Sequence, residues 1–283
     1  MPRSRALVPL KALWTSKQGK AIPLPPGLAR LYGRFCLPQS GSGPHIFSNF
    51  VTTLDGVVSL HVRGHANGRD ISGCNEQDRL VMGLLRAVAD VVVVGAGALA
   101  ADKQHVWTPE TICPALASDF AHLRKALGKS GPPLNVVVSG SGTLDLRLPV
   151  FSSGAVQVMV ITTTAGAKRL AEQRIPKTVD IRAVRSRGSV IAPGTICSEI
   201  CKVHGVKQIL LESGPRLTAD FYQQRLVSEQ FLTLAPQIAG RKAGDRRLGM
   251  VMGRQFAPRN PLWGQLVDVR RAGSHLFLRY SFL

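Results

Sequence analysis

No aspartate or glutamate occurs in this chain before Asp55, and the 283 residues hold only 17 acids against 36 lysines and arginines. The resulting net charge of +19 argues against partners that are themselves basic and favours phosphates, whether on nucleic acid or on a cofactor. Aromatic residues are scarce at 6%, and none interleaves the basic clusters, so a stacking platform for single strands is not expected. No run reaches the roughly 18 uninterrupted apolar residues of a membrane span. The opening MPRSRALVPLKALW also lacks the continuous apolar segment of a secretory signal, so a soluble, cytoplasmic protein with no membrane partner is expected. The five cysteines (Cys36, Cys74, Cys113, Cys197 and Cys201) are odd in number and scattered, which points away from a disulfide framework and toward reduced, mostly buried thiols. Cys197 with Cys201 is a helical pair without a second pair of ligands, and His61 with His65 has the HxxxH spacing but lacks the accompanying glutamate, so no metal site is expected.

What is present is a chain that is 45% hydrophobic, ample for a real core. Residues 1–44 carry Arg3, Arg5, Lys11, Lys17, Lys20, Arg30 and Arg34, and the prolines of IPLPPG oppose a long amphipathic helix. A transit peptide would share this composition; a flexible or loosely docked basic arm is the reading taken, ending in the Gly-Ser-Gly-Pro of 41–44. Residues 45–283 then form the folded domain, in which apolar strands alternate with amphipathic helices. HIFSNFVTTL is a strand. NEQDRLVMGLLRAVA places Leu80, Val81, Leu84, Leu85 and Val88 on one helical face, with Asn75 as N-cap. DVVVVGAG is a buried strand entering a glycine turn, and a helix over 114–128 sets Leu116, Phe120, Leu123 and Leu127 in register. The strands NVVVSG, VQVMVITT, VDIRAV and VKQILLES follow, separated by the helix AGAKRLAEQ and a helix over 196–203.

This alternation predicts a largely parallel α/β sheet. The end differs: EQFLTLAPQIAG reads as a strand whose Pro236 favours an edge or a bulge, and QLVDVRRAGSHLFLRYSFL as a hairpin turning at Ala272 and Gly273. Between them, 241–259 is a basic loop with Lys242, Arg246, Arg247 and Arg254, read as a solvated surface.

Ligands in open α/β sheets sit beyond the carboxyl ends of the strands, and three such ends are chemically marked. In TTLDG, Asp55 and Gly56 make at least a plain turn. In VVVVGAGALAAD, Gly95 and Gly97 let backbone N–H groups approach a phosphate or ribose, and Asp102 can accept from hydroxyls, although the third glycine of a dinucleotide fingerprint is missing. In ILLESGPRLTADF, Gly214 and Pro215 open a helix whose amino end suits an anion. A phosphate-bearing ligand there explains the turn, and Glu212, which ends the strand before it, is an acid costly to bury unless a ligand or a base pairs with it; the alternative is a capping acid beside an ordinary turn.

Taken in order, NFVTTLDG, LLRAVADVVVVGAGALAAD, NVVVSGSGTLD and LLESGPRLTADFYQQRLVSEQFLTLAPQIAG resemble the reductase domain of bacterial riboflavin biosynthesis. The resemblance runs from about Asn49 to Gly240. It implies a dihydrofolate-reductase-like α/β fold: a mixed, mostly parallel sheet flanked by helices, with a C-terminal antiparallel hairpin. It further implies a homodimer and NADPH as cofactor, met by Thr53, Gly95, Gly97, Ala98, Asp102, Ser139, Ser213, Gly214, Pro215, Arg216 and Leu217. A phosphorylated pyrimidine would meet Arg86 and Glu212, with Asp55 in the strand facing the nicotinamide; Asp55 and Glu212 are the catalytic candidates. The implied reaction is hydride delivery from NADPH to C1′ of a ring-opened phosphoribosylamino group, giving a ribityl chain. There are departures. Ala98 stands where the family has threonine, and DKQHVW replaces a proline-containing segment whose later arginine would hold the substrate phosphate, leaving Lys103, His105, Arg63 or Arg69 as substitutes. The deaminase zinc motif of the bifunctional relatives is missing. The alternatives are a related reductase of another pyrimidine- or pterin-like substrate, and a basic non-enzymatic nucleic-acid-binding protein.

Overall fold

The valine run at 91–94 shows how the sheet is built. Val91 and Val93 pack into one hydrophobic cluster and Val92 and Val94 into another, all four fully buried, as a parallel strand covered on both faces requires. The computed structural model describes residues 7–282 apart from 17–18, 39–40, 42, 63–64, 66–67, 187 and 246; Arg3, Arg5, Lys17, Arg63 and Arg246 of the sequence reading lie outside the described residues. The strands are β1 (Lys11–Thr15), β2 (Lys20–Ala21), β3 (Cys36–Leu37), β4 (His45–Thr52), β5 (Val91–Gly95) and β6 (Leu134–Val138). They continue with β7 (Val158–Thr163), β8 (Val179–Val184), β9 (Gln208–Leu211), β10 (Glu229–Leu234), β11 (Gln265–Ala272) and β12 (His275–Ser281).

One sheet has the order β1-β11-β12-β10-β4-β9-β5-β6-β7-β8. From β10 to β8 every pairing is parallel, and β12, β11 and β1 extend it antiparallel. The expected mixed, mostly parallel sheet with a C-terminal hairpin is therefore what forms. The chain steps outward from β5 to β8, then returns to place β9 between β4 and β5. Since such crossovers are right-handed, outward and returning connections cover opposite faces. Leu84, Phe120 and Leu170 belong to helices of one layer, Ile196, Ile200 and Phe221 to helices of the other.

The helix Glu76–Val88 begins where the Asn75 side chain accepts from the Asp78 amide at 2.9 Å, and it buries Leu80, Val81, Leu84, Leu85 and Val88 as its spacing predicts. Gly83 lies against Phe120: a Cβ there would come within 2.5 Å of that ring, so glycine lets the helix Ala117–Ala126 approach.

Several expectations are corrected. The arm is not loosely docked: β1 pairs with β11, and the helix Pro26–Tyr32 buries Leu28, Leu31 and Tyr32 in the main core, followed by Phe35. Pro236 is not in a strand, because β10 ends at Leu234 and lies centrally between β4 and β12. The hairpin turns at Gly273 and Ser274, with Ala272 paired to His275. Gly95 adopts φ −88° and leads directly into the helix Ala96–Ala101, so no glycine turn intervenes. Of the cysteines only Cys113 is buried; Cys36, Cys74 and Cys197 are half-buried and Cys201 is exposed. Nor is the basic loop merely solvated, as Arg241, Arg247 and Arg254 all make hydrogen bonds.

Candidate active site

Seven parallel strands end on one edge, and the chain leaves that edge in opposite directions on either side of one gap. After β5 the helix Ala96–Ala101 starts toward one layer, and after β9 the helix Pro215–Gln223 packs in the other. This is the topological switch point at which open α/β sheets form their ligand crevice. Its two lips are Gly95 and Gly214, each the N-cap of its helix, and neither helix has a side-chain cap. Leu217 spans the gap, its Cδ2 lying 3.7 Å from where a Cβ on Gly95 would be. A Cβ on Gly97 or Gly214 would meet nothing within 4 Å, so both glycines border open space. Exposed backbone donors, a positive helix end and vacant volume suit a phosphate-bearing ligand.

The crevice wall is rigid. The Ser213 hydroxyl lies 2.8 Å from that of Thr218, which also donates to the Ser213 carbonyl, so Ser213 braces the turn. Pro215 is buried at the first helical position, while Arg216 is exposed. Ser139 is 3% exposed just past β6, and its loop is packed without spare room. A Cβ on Gly142, whose φ is +66°, would strike the Gly166 carbonyl at 2.3 Å, and the Thr163 hydroxyl donates to the Gly140 carbonyl at 2.8 Å. Ala98 lies partly buried in the helix Ala96–Ala101 and Asp102 caps its end, with a carboxylate 43% exposed.

Glu212 has the partner that its position demands. Arg86 donates to both carboxylate oxygens, Nε to Oε1 at 3.0 Å and Nη2 to Oε2 at 2.7 Å, and Nη1 donates to the Thr108 carbonyl at 3.1 Å. The side chains are 1% and 7% exposed. The two residues expected at a substrate thus first hold each other, forming a charged floor between β9 and the helix Glu76–Val88. A carboxylate engaged by a planar guanidinium keeps further lone pairs as acceptors.

Asp55 corrects its expectation. It lies beyond β4 in a turn, not in the strand, and its carboxylate accepts from the Thr53 hydroxyl at 2.5 Å and from the amides of Ala239 (3.0 Å) and Gly240 (2.8 Å). Those hydrogen bonds, the Thr53 hydroxyl first, hold its carboxyl down to about 2. Asp55 therefore ties the loop after β4 to the loop after β10, and Thr53, fully buried, is occupied as acceptor for the Val57 amide and donor to Asp55. His105, one of the candidate phosphate holders, is also corrected. Burial, then the neighbouring Arg86 and Arg79, push its imidazole down to about 3, so it is neutral and supplies no charge for a phosphate.

Three residues escaped the sequence reading. Asn135, fully buried at the start of β6, exchanges two hydrogen bonds with the Trp107 backbone (3.2 and 3.1 Å) and fixes the segment leading to Thr108; a lone amide inside NVVV was its signal. Thr108 supplies the carbonyl that orients Arg86, with no signal in the sequence. Asp78 is a carboxyl 4% exposed, pushed up to about 6 by burial against hydrogen bonds from Thr233 and Ser72; at a helix start it looks like an ordinary dipole-facing acid.

Comparison with known proteins points one way. The model of the RibD C-terminal domain matches residues 44–270. A 2,5-diamino-6-ribosylamino-4(3H)-pyrimidinone 5′-phosphate reductase of Archaeoglobus fulgidus is 24% identical over 200 residues, 70% of this chain and 82% of its own length. A pyrimidine reductase-like protein of Corynebacterium diphtheriae superposes with a TM-score of 0.64 at 20% identity, over 90% of this chain and 98% of that one. A deaminase/5-amino-6-(5-phosphoribosylamino)uracil reductase of Thermotoga maritima gives 0.62 at 18% identity over 86% of this chain, which spans 57% of that longer protein. Likeness at such identities establishes the fold.

Proposed function

The chain belongs to the RibD C-terminal domain family, whose model it matches over residues 44–270, and from that premise we propose that it is an NADPH-dependent pyrimidine reductase of riboflavin biosynthesis. The observation that carries the reading is the crevice between Gly95 and Gly214, bordered by space that a Cβ on Gly97 or Gly214 would fill and floored by the Arg86–Glu212 pair. A dinucleotide fits this cradle: the amino ends at Gly95 and Gly214 favour its phosphates, and Ala98, Asp102, Ser139 and residues 213–217 line its path. When bound, NADPH supplies the hydride. The protein orients the acceptor and excludes water. Glu212, fixed by Arg86, accepts from N–H groups of the pyrimidine ring, and the buried floor keeps that carboxylate in one geometry. Asp55 acts by holding the loops after β4 and β10 together at the mouth. The substrate class is a pyrimidine bearing a phosphoribosylamino group, reduced at C1′; the proposal includes a homodimer and a cytoplasmic location.

A second reading, reduction of another pyrimidine- or pterin-like substrate, is favoured by one observation: the segment after Asp102 reads DKQHVW and carries no arginine to hold a substrate phosphate. Titration with NADPH and with NADH, monitored as thermal stability, tests the cofactor, since a ligand that binds only the folded state raises the melting temperature. A saturable, salt-resistant shift larger with NADPH is expected. NADPH oxidation at 340 nm with 5-amino-6-(5-phosphoribosylamino)uracil or 2,5-diamino-6-ribosylamino-4(3H)-pyrimidinone 5′-phosphate then tests the substrate. Absence of any NADPH shift, with salt-sensitive binding to an oligonucleotide instead, would remove the proposal.

A further inference from the structure

A cavity of about 520 Å³ adjoins the crevice, within the range of roughly 300–1,000 Å³ typical of small-ligand sites, and no step of the proposed function uses it. It opens between the loop after β8, the amino end of the helix Pro193–Cys201 and the helix Pro215–Gln223, with Arg185, Ser186, Thr195, Asp220, Gln224 and Arg254 in its wall. The crevice leads to it along one helix face. Asp220 follows Leu217 by three residues, one turn on, and stands about 9 Å along the helix axis from Gly214. The loop after β8 meets the loop after β6, since a Cβ on Gly140, the residue following Ser139, would come within 1.7 Å of the Ser189 carbonyl oxygen. Across the cavity, Gln224 Oε1 accepts from the Gly194 amide at 2.9 Å and holds the two helices together.

The charges in this wall are arranged unevenly. The Asp220 carboxylate is engaged: Arg254 Nε donates to its Oδ1 at 2.7 Å. Arg254 is set there by the basic loop, which lies along the helix because the Met252 amide donates to the Pro215 carbonyl at 3.3 Å. Arg185 is exposed and, among the described residues, has neither a hydrogen bond nor an ion pair. A free carboxylate beside a cofactor ribose accepts from its 2′-hydroxyl and repels a 2′-phosphate, whereas a guanidinium accommodates that phosphate. This cavity holds one carboxylate already covered by a guanidinium, and a second guanidinium without a partner.

We propose that Arg254 and Arg185 make the crevice selective for NADPH over NADH: Arg254 masks the Asp220 carboxylate, and Arg185 binds the 2′-phosphate of the dinucleotide. The inference rests on the reading of the crevice as a nicotinamide-dinucleotide site. It gives a purpose to an arginine brought from 34 residues downstream to cover a partly exposed acid, a pairing that contributes little to stability at a surface. Without Arg254 the same wall would present the carboxylate that suits a free 2′-hydroxyl.

The test is isothermal titration calorimetry of the full chain and its variants with NADPH, NADH, adenosine 2′,5′-bisphosphate and adenosine 5′-monophosphate. The unaltered chain is expected to bind NADPH about tenfold or more tighter than NADH, and the bisphosphate more tightly than the monophosphate. Arg185→Ala should weaken NADPH by about tenfold to a hundredfold, the scale of one or two charge-assisted hydrogen bonds, and leave NADH unchanged. Arg254→Ala should weaken NADPH and strengthen NADH, because the bared carboxylate repels the phosphate and accepts from the hydroxyl. Adding Asp220→Asn to Arg254→Ala should then recover the NADPH affinity, which the loss of a mere loop tether would not allow. Both arginines lie at the surface, where such changes leave folding intact. An unaltered chain without a preference, or arginine variants that keep its ratio of affinities, overturns the inference and leaves the dinucleotide reading standing. Equal weakening of both dinucleotides in Arg254→Ala, not recovered by Asp220→Asn, overturns the masking. Binding of neither dinucleotide by the unaltered chain overturns the cofactor reading and this inference with it.

Discussion

A side chain at Gly214 has room. Its φ is −65° and a Cβ there meets nothing within 4 Å, so valine is tolerated by the free protein and obstructs only what enters the crevice. Gly214→Val should melt within about a degree or two of the unaltered chain, because surface substitutions away from special features change stability by at most about 0.5 kcal/mol, yet lose the NADPH-induced shift. A retained shift in a folded variant contradicts the placement of the cofactor. Glu212→Gln is different in kind. It strips the charge from a pair whose other member, Arg86, is 1% exposed, and leaving a buried guanidinium uncompensated costs on the order of 3 kcal/mol. The variant should therefore show a lower urea midpoint as well as weaker pyrimidine turnover, with NADPH affinity retained; an unchanged midpoint would mean that the pair is not held as described. The sequence makes Glu212 and Gly214 conspicuous because local chemistry marks them: an acid ending an apolar strand, and a glycine before proline. It does not disclose that Arg86 is the partner, since 126 residues separate them and only the fold brings them together.

At the level of elements, period and capping are local properties, and the sequence carries both. The alternation of buried strands and amphipathic helices, the Asn75 cap and the apolar face of the helix Glu76–Val88 were all legible for that reason. Loops are fixed by distant partners, and those were not legible. Asp55 reads locally as a turn acid, but its carboxylate is engaged by the amides of Ala239 and Gly240, 184 and 185 residues away. The linkage has a definite sign. With its folded pKa lowered to about 2 against an unfolded value near 3.9, Asp55 contributes stability in full above about pH 4 and loses it as pH falls toward 2. Asp55→Asn should show a smaller drop in urea midpoint between pH 4 and pH 2 than the unaltered chain, the difference isolating this group from the other acids. Equal drops would mean that the two loops are not joined through this carboxylate.

For the whole molecule, the largest misreading concerned the first 44 residues, where seven scattered basic residues and the IPLPPG prolines outweighed a sparse apolar pattern. Leu10, Leu28, Leu31, Tyr32 and Phe35 are each at most 6% exposed, but a helix of seven residues offers too few turns for its period to register. Of the charges that suggested an arm, Lys11, Lys20, Arg30 and Arg34 are exposed, while these side chains complete the core. Buried cations of the C-terminal hairpin depend on the same segment: the Arg270 guanidinium lies 4.2 Å from the Tyr32 ring centroid and donates to the Arg34 carbonyl, and Arg279 donates to the Cys36 carbonyl while stacking over Phe35. Removing residues 1–43 would withdraw these five large buried side chains, each contributing about 1.5–3 kcal/mol, and leave two buried guanidinium groups short of acceptors. That sum is comparable with the roughly 5–15 kcal/mol stability of a whole domain. A chain beginning at Pro44 should therefore give no cooperative melt and aggregate on expression, although the family match itself begins at that residue. If it melted as the full chain does, the segment would be a dispensable arm after all, and the edge strand β1 with its buried helix would contribute nothing to the fold.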